Sequence, residues 1–295
     1  MPASTKKKIR VLSNKLRISQ WYKNLLIFIG LIFEKKFIDL QYDLVVFLGF
    51  MALCLISSSN YVINDYVDRK NDELNQIKKF HSNDNKTIQT TLIYFLILFG
   101  SSLTISIIIS LEFFLFIILI AMLGQVYNLF AKKVFILDII ILALIYILRT
   151  YSGYYLISVS PSNLIIIPVI VLALYLIFIK KRSIILILNK ENAIEFRSSY
   201  KYYTGHRIET ALKIIFISLI FVYFAYILLN EKFNIIVLIS TYPFVIYILY
   251  EIFKLTKIFP EMGIFLWKII KIKKILIASA CIICLYMFAI FSYVA

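Results

Sequence analysis

Three carboxylates and an amide recur at a spacing that a helix would gather on one side: Asn64, Asp65, Asp68 and Asp72, within one nine-residue run. At about 100° per residue they fall within an arc of roughly 100° if the helix continues through the run. Like charges so spaced destabilise a helix by about 0.2–0.5 kcal/mol per pair. A hard divalent cation reverses that cost, and an oxygen-only ligand set suits Mg2+ shared with substrate phosphates. A solvated helix end with chance acids is a poorer account, because the chain has only 16 acidic residues and four of them lie within positions 65–73.

A second group is cationic. Lys180, Lys181 and Arg182 close a long apolar run, and Lys190, Arg197, Tyr200 and Tyr203 follow. Lys and Arg bind phosphate oxygens directly, without a metal. His81 and His206 lack a partnered ligand set, and Cys281-x-x-Cys284 has neither a second pair nor a nearby His. Neither a zinc site nor a disulfide framework is therefore expected.

Apolar elements must hold these groups in place. The 295 residues are 62% apolar and 16% charged, whereas a soluble domain carries about 25% charged residues. Transmembrane strands would alternate polar and apolar side chains, and runs such as Leu164–Ile179 do not. The fold class is an all-α polytopic membrane protein. Nine spans are expected, at 21–37, 42–64, 90–111, 113–131, 134–157, 162–181, 212–230, 233–253 and 274–294. Glu34, Lys35 and Lys36 cut the first one short. The whole chain, 1–295, reads as a single transmembrane domain with a basic tail over 1–20 and two long polar loops at 65–89 and 182–211.

Charge sets the orientation. With the N-terminus cytoplasmic, that tail and segments 65–89, 131–133, 180–213 and 254–274 collect nearly all of the 32 Lys and Arg. The far side keeps Lys35, Lys36 and Lys232. This is the positive-inside pattern, and it accounts for the net charge of +16 through anionic lipid without nucleic acid. The expected location is the cytoplasmic membrane, multi-pass, with the active site facing the cytoplasm. No removable signal peptide is expected at the basic N-terminus.

Asn64-Asp65-x-x-Asp68-x-x-x-Asp72 resembles the N-D-x-x-D-x-x-x-D signature of the UbiA superfamily of intramembrane prenyltransferases. The resemblance implies nine transmembrane helices around a central cavity, with Asp65, Asp68 and Asp72 holding Mg2+ on a diphosphate. Members that transfer prenyl groups carry a second Asp-rich motif after the sixth helix, and here no Asp follows Asp138. The chain is in this respect similar to the polyprenyl-phosphate (decaprenyl-phosphate) phosphoribosyltransferase branch. Arg17-x-x-Gln20-Trp21-x-Lys23-Asn24, Lys181-Arg182, Arg197-x-x-Tyr200-x-x-Tyr203, and Asp138 with Arg149-x-x-x-Gly153 all resemble elements of that branch. Two departures stand out: the acid expected soon after Lys181-Arg182 is replaced by Ile184–Leu188, and Tyr200 stands where Leu is usual.

The resemblance implies a Mg-dependent transferase moving 5-phosphoribosyl from 5-phosphoribosyl diphosphate to a polyprenyl phosphate, feeding cell-envelope polysaccharide synthesis. Asp65, Asp68 and Asp72 would be the catalytic and metal-holding residues. Asn64, Lys23, Lys181, Arg182, Arg197 and Tyr203 would bind substrate. The partners implied are the two substrates and membrane lipid, and a homo-oligomer is compatible with the composition. The alternative is a prenyltransferase acting on an aromatic or other small acceptor. A transporter is disfavoured, because charges gather at one surface instead of near the midplane.

Several residues have plainer readings. Arg17 and Lys23 suit positive-inside anchoring, and Trp21 suits an interfacial belt. Asp138 and Arg149, eleven residues apart on nearly one face of the fifth span, suit a structural ion pair or polar lock. Lys268–Lys274 suits a lipid-binding patch.

Overall fold

The computed structural model describes residues 16–68 and 88–291. The chain is all-helical, and among the described residues eight helices are long and apolar enough to cross a membrane. A shorter apolar helix, α1 (Ile18–Phe33), precedes them. It begins as a 3-10 helix over Ile18–Ile27 and becomes α-helical over Phe28–Phe33. It ends before Glu34, and Lys35 turns the chain with a positive φ of 57°. The charged triplet thus stops the expected first span at 16 residues.

The eight long helices are α2 (Leu40–Val67), α3 (Ile88–Ile109), α4 (Leu111–Leu129), α5 (Phe135–Leu156), α6 (Asn163–Phe196), α7 (Gly205–Leu229), α8 (Ile235–Ile258) and α9 (Lys273–Phe291). Polar side chains cap several of their starts. Asp39 accepts from Gln41 N, Ser110 from Phe113 N, Thr204 from Arg207 N and Asn234 from Ile236 N. Such caps satisfy N–H groups that the helix itself leaves open.

One expectation needs correction. The segment 182–211, read as a loop because it opens on Lys-Arg, is helical to Phe196 and again from Gly205. Helix α6 is interrupted inside that stretch, at Asn189, whose φ of 61° is left-handed. The ψ of Asn189, 165°, also sets it apart from the left-handed helical basin, so the helix is truly broken there.

Contacts divide the chain into two compact units. The first takes the described residues up to Pro161 together with Ile194–Ser199; the second takes Ser162–Ala193 and the residues from Tyr200 onward. In the first unit α2 runs against α3, α4 and α5. It buries Gly49, Ala52, Ser57, Ser58 and Ser59, while Ile108 and Leu96 on α3 stay exposed. Small inward residues and large outward ones are the pattern of helices that pack in lipid, where close backbone approach replaces the hydrophobic drive. Ser102 on α3 donates to the Ala52 carbonyl at 2.8 Å. Asn60 on α2 accepts from Gln125 at 2.6 Å through its side chain and from Asn128 at 3.0 Å through its carbonyl, tying α2 to α4. Gly153 on α5 is obligatory, since a Cβ there would overlap the Ile27 carbonyl of α1.

In the second unit Tyr175 on α6 donates to the Leu249 carbonyl on α8 at 2.7 Å. Tyr223 on α7 lies 2.6 Å from Thr241 on α8 and 3.2 Å from Tyr286 on α9.

Candidate active site

The last two turns of α2 carry Asn64 and Asp65, and Asp68 caps its C-terminal end. Asn64 is buried, and Asp68 is almost wholly so. An ionised carboxylate at such a position needs paired charge around it. Asp68 has two cations: Lys132 donates to Oδ1, and Arg197 Nη2 donates to Oδ2 at 2.9 Å. Lys132 comes from the three-residue turn Ala131–Lys133 between α4 and α5 and is itself buried. Arg197 follows the last turn of α6.

Asp138, in the first turn of α5 and fully buried, is the hub behind this pair. Its Oδ1 accepts from the Tyr127 hydroxyl at 3.1 Å, and its Oδ2 lies 3.4 Å from Ser199 Oγ. Ser199 also donates to the Lys132 carbonyl at 2.9 Å, and Ser198 to that of Lys133 at 3.0 Å. Arg197 Nη1 reaches the Tyr127 hydroxyl at 3.4 Å. Asp138 thus fixes both the Lys132 turn and the segment bearing Arg197. Asp65 completes the group through a two-point contact with Arg17, whose Nε lies 3.3 Å from Oδ2. The Arg17 guanidinium also stacks over the Tyr61 ring at 5.1 Å.

Two carboxylates, Asp65 and Asp68, therefore pair with three cations within one unit, and Asp138 supports them through hydroxyls. Among the described residues no set of three acidic, His or Cys side chains forms a ready-made metal cage; Asp72 lies outside those residues. The donor set still fits Mg2+, which binds through one or two carboxylates and takes its remaining ligands from water and substrate phosphates. Asp65 and Asp68, three residues apart at one helix end, supply two such carboxylates, with the Asn64 amide beside them.

Of the residues singled out in the sequence, the structure brings Asp65, Asp68, Asn64 and Arg197 to one end of the first unit. Lys23 lies in the same unit, on α1, half-buried over the Tyr22 ring at 5.8 Å. Lys181, Arg182 and Tyr203 belong to the second unit. The Lys181 ammonium sits over the rings of Tyr203 and Tyr200 at 4.9 and 5.5 Å. Tyr203 is buried, edge-on to Phe178 at 6.0 Å. Arg182, expected to face substrate, is fully buried in an internal tie. It donates to Glu209 at 3.4 Å on α7, and to Thr256 Oγ1 at 2.7 Å and the Phe253 carbonyl at 2.8 Å on α8.

Asp138 and Arg149 do not pair with each other. Eleven residues along one helix set them about 16 Å apart, and Arg149 bonds to Ser57 at 3.3 Å instead. Trp21 is not a free belt residue either, since its Nε1 donates to Ser58 at 3.0 Å. Lys132 is the residue that sequence reasoning missed. A Lys-Lys pair between two spans reads as topological charge, and only its burial against Asp68 reveals otherwise.

Comparison with known proteins follows the same lines. Residues 25–269 match the model of the UbiA prenyltransferase family. An uncharacterized Sinorhizobium fredii protein, y4nM, is 28% identical over 142 residues, covering 48% of this chain and 28% of that protein's length. Among solved structures, a UbiA homolog from Archaeoglobus fulgidus bound to GPP and Mg2+ is similar with a TM-score of 0.66 and 19% identity, covering 95% of this chain and 99% of that one. A digeranylgeranylglyceryl phosphate synthase is similar with a TM-score of 0.62 and 14% identity, over 97% and 99% of the two chains. The fold is therefore UbiA-like, and with most of its length matched by the family model the chain belongs to the UbiA prenyltransferase family.

Proposed function

We propose that this family member is a Mg-dependent intramembrane transferase that moves 5-phosphoribosyl from 5-phosphoribosyl diphosphate to a polyprenyl phosphate. The observation that carries the reading is the pairing of Asp68 with Lys132 and Arg197 in a chain that has no Asp after Asp138. Carboxylates for a metal and cations for bare phosphate stand side by side, while the second acidic motif of prenyl-diphosphate users is missing. A donor with phosphate at both ends uses both devices.

In this reading Asp65, Asp68 and Asp72, with Asn64, hold the diphosphate end, and bound Mg2+ supplies charge neutralisation to the leaving group. Lys132 and Arg197 lie within reach of phosphate oxygens placed at Asp68. Arg17 and Asp138 keep the carboxylates and cations oriented. Lys181 and Tyr203, on the strength of the sequence pattern alone, are phosphate-binding as well, and Arg182 anchors the helix that bears Lys181. An oxygen of the acceptor phosphate forms the new bond to C1 of the ribose as the C1–O bond to diphosphate breaks, so the anomeric configuration inverts. The acceptor is already anionic and needs no strong base; positioning and fixed charge supply the rate. The basic side of the chain faces the cytoplasm, where the donor is found, and the product serves cell-envelope polysaccharide synthesis.

A second reading rests on one observation: the Archaeoglobus fulgidus homolog of the same fold is bound to GPP and to DMAPP with Mg2+. In it, a prenyl group moves from prenyl diphosphate to an aromatic or other small acceptor. Purified protein given Mg2+ with each donor–acceptor pair separates the two. Lipid-linked phosphoribose is the expected product. Product from prenyl diphosphate and an aromatic acid alone would reverse the assignment.

A further inference from the structure

Arg149 is the buried charge that the mechanism leaves unused. It lies on the inward stripe of α5 with Asp138, Ile141, Ile145, Ser152 and Gly153. Its Nη2 reaches Ser57 Oγ at 3.3 Å, its guanidinium lies 5.7 Å from the Tyr146 ring, and its buried Nε has no hydrogen-bond partner among the described residues. No carboxylate among the described residues pairs with it. Arg182 has an equally unpartnered Nε but differs in its other nitrogens, from which an acid, a hydroxyl and a carbonyl all accept. An unpaired ionised group inside a helical bundle is costly, and in a membrane segment it marks a functional position by default.

A second cation lies on α1, the helix packed against α5. Gly153 lets the α5 backbone touch the Ile27 carbonyl of α1, and Gly30 then meets Tyr154 and Ile157, so the two helices run in the same direction. One turn before that contact stand Arg149 on α5 and, on the 3-10 stretch of α1, the buried Asn24 with Lys23 next to it. Lys23 likewise makes no ion pair with an acidic side chain among the described residues. Ser57 links the two helices: it accepts from Arg149 and donates to Asn24 Oδ1 at 3.2 Å, next to Lys23. Two cations brought together without a counter-ion are a receptor for an anion.

We infer that Arg149 and Lys23, with Ser57 between them, form a second anion site that takes the phosphate of the lipid acceptor. Its place favours the lipid substrate over the soluble one. Ser57 lies eight residues before Asp65 on α2, about 12 Å deeper along the helix. The attacking and leaving oxygens flank C1 of the pentose, and the metal, the diphosphate and the acceptor phosphate laid end to end fill a span of that order. The donor occupies the α2 end, and an isoprenoid reaches the deeper position sideways from the bilayer.

This inference rests on the proposed reaction only for the name of its ligand, and binding tests it separately. Protein in nanodiscs is titrated with polyprenyl phosphate, with polyprenol of the same length, and with 5-phosphoribosyl diphosphate plus Mg2+, with retention read by native mass spectrometry. Wild type is expected to retain the phosphorylated lipid over the alcohol. Arg149→Gln and Lys23→Met each weaken that retention by about tenfold or more, about 1.4 kcal/mol, and leave donor retention unchanged; Arg149→Lys recovers part of it. Lys23 is half-buried on a short helix, so its variant stands in if Arg149→Gln fails to fold. Equal lipid retention by wild type and both variants overturns the inference. Loss of donor retention in its place also overturns it and gives the site to the donor's 5-phosphate. If Arg149-dependent lipid binding persists while no phosphoribosyl lipid ever forms, the proposed reaction falls and this site stands.

Discussion

Asp65 and Asp68 differ in how deeply they are held, and that separates two effects of mutation. Asp65 and Arg17 keep side-chain exposures of 15% and 27%, so breaking their pair should cost less than breaking a fully buried one, on the order of 1 kcal/mol. Asp65→Asn should therefore leave thermal unfolding nearly unchanged. Transfer should fall by about 100-fold or more, with a higher Mg2+ concentration needed for half-maximal rate. Lys132 and Asp68 are both almost fully buried. Lys132→Met strips one partner from a buried pair, and such losses run to about 3–5 kcal/mol. Thermal unfolding in detergent should show that drop, and replacing Asp68 by Leu as well should recover part of it. A Lys132→Met protein as stable as wild type would mean that the pair is open to water. The carboxylates were legible in the sequence because their spacing matches a helical turn. Lys132 was not, because its partner lies 64 residues away and its neighbours look like an ordinary membrane boundary.

At the scale of elements, the close approach of α5 to α1 depends on Gly153. Gly153→Ala drives a methyl into the Ile27 carbonyl, and overpacking of this kind costs about 1–3 kcal/mol. Because Arg17 immediately precedes α1 and Lys23 lies on it, the same change should weaken substrate retention out of proportion to its effect on unfolding. Helix α6 makes the opposite case. Lys180-Lys181-Arg182 read as the exit from the membrane, yet Arg182 is fully buried and bound to groups 27 to 74 residues distant. No local pattern exposes such partners. Arg182→Met should destabilise the protein measurably while folded molecules keep their transfer rate within about twofold; a selective rise in donor KM would restore Arg182 to the substrate. The first span was harder to read for another reason. Its charged triplet was visible, but where the chain would turn depended on the positive φ at Lys35.

For the whole molecule, the lopsided distribution of Lys and Arg is the basis for the proposed orientation, with the N-terminus in the cytoplasm. Lys232 and Lys201 are both exposed side chains outside the long helices. In a background without native Cys, Lys232→Cys should react with an impermeant maleimide on intact cells, and Lys201→Cys only after permeabilisation. The reverse pattern would invert the topology. The eight long helices were evident from hydropathy, whereas their division into two compact units reflects contacts between distant segments, such as Ile194–Ser199 with the first half of the chain. The central claim is that the lipid receives the sugar phosphate and that diphosphate departs. It is tested most directly with 5-phosphoribosyl diphosphate radiolabelled either on its 5-phosphate or on its β-phosphate, incubated with the protein, Mg2+ and polyprenyl phosphate. The account predicts 5-phosphate label in the organic phase and β-phosphate label in water. Both labels remaining in water, with lipid product formed only from prenyl diphosphate, would contradict it.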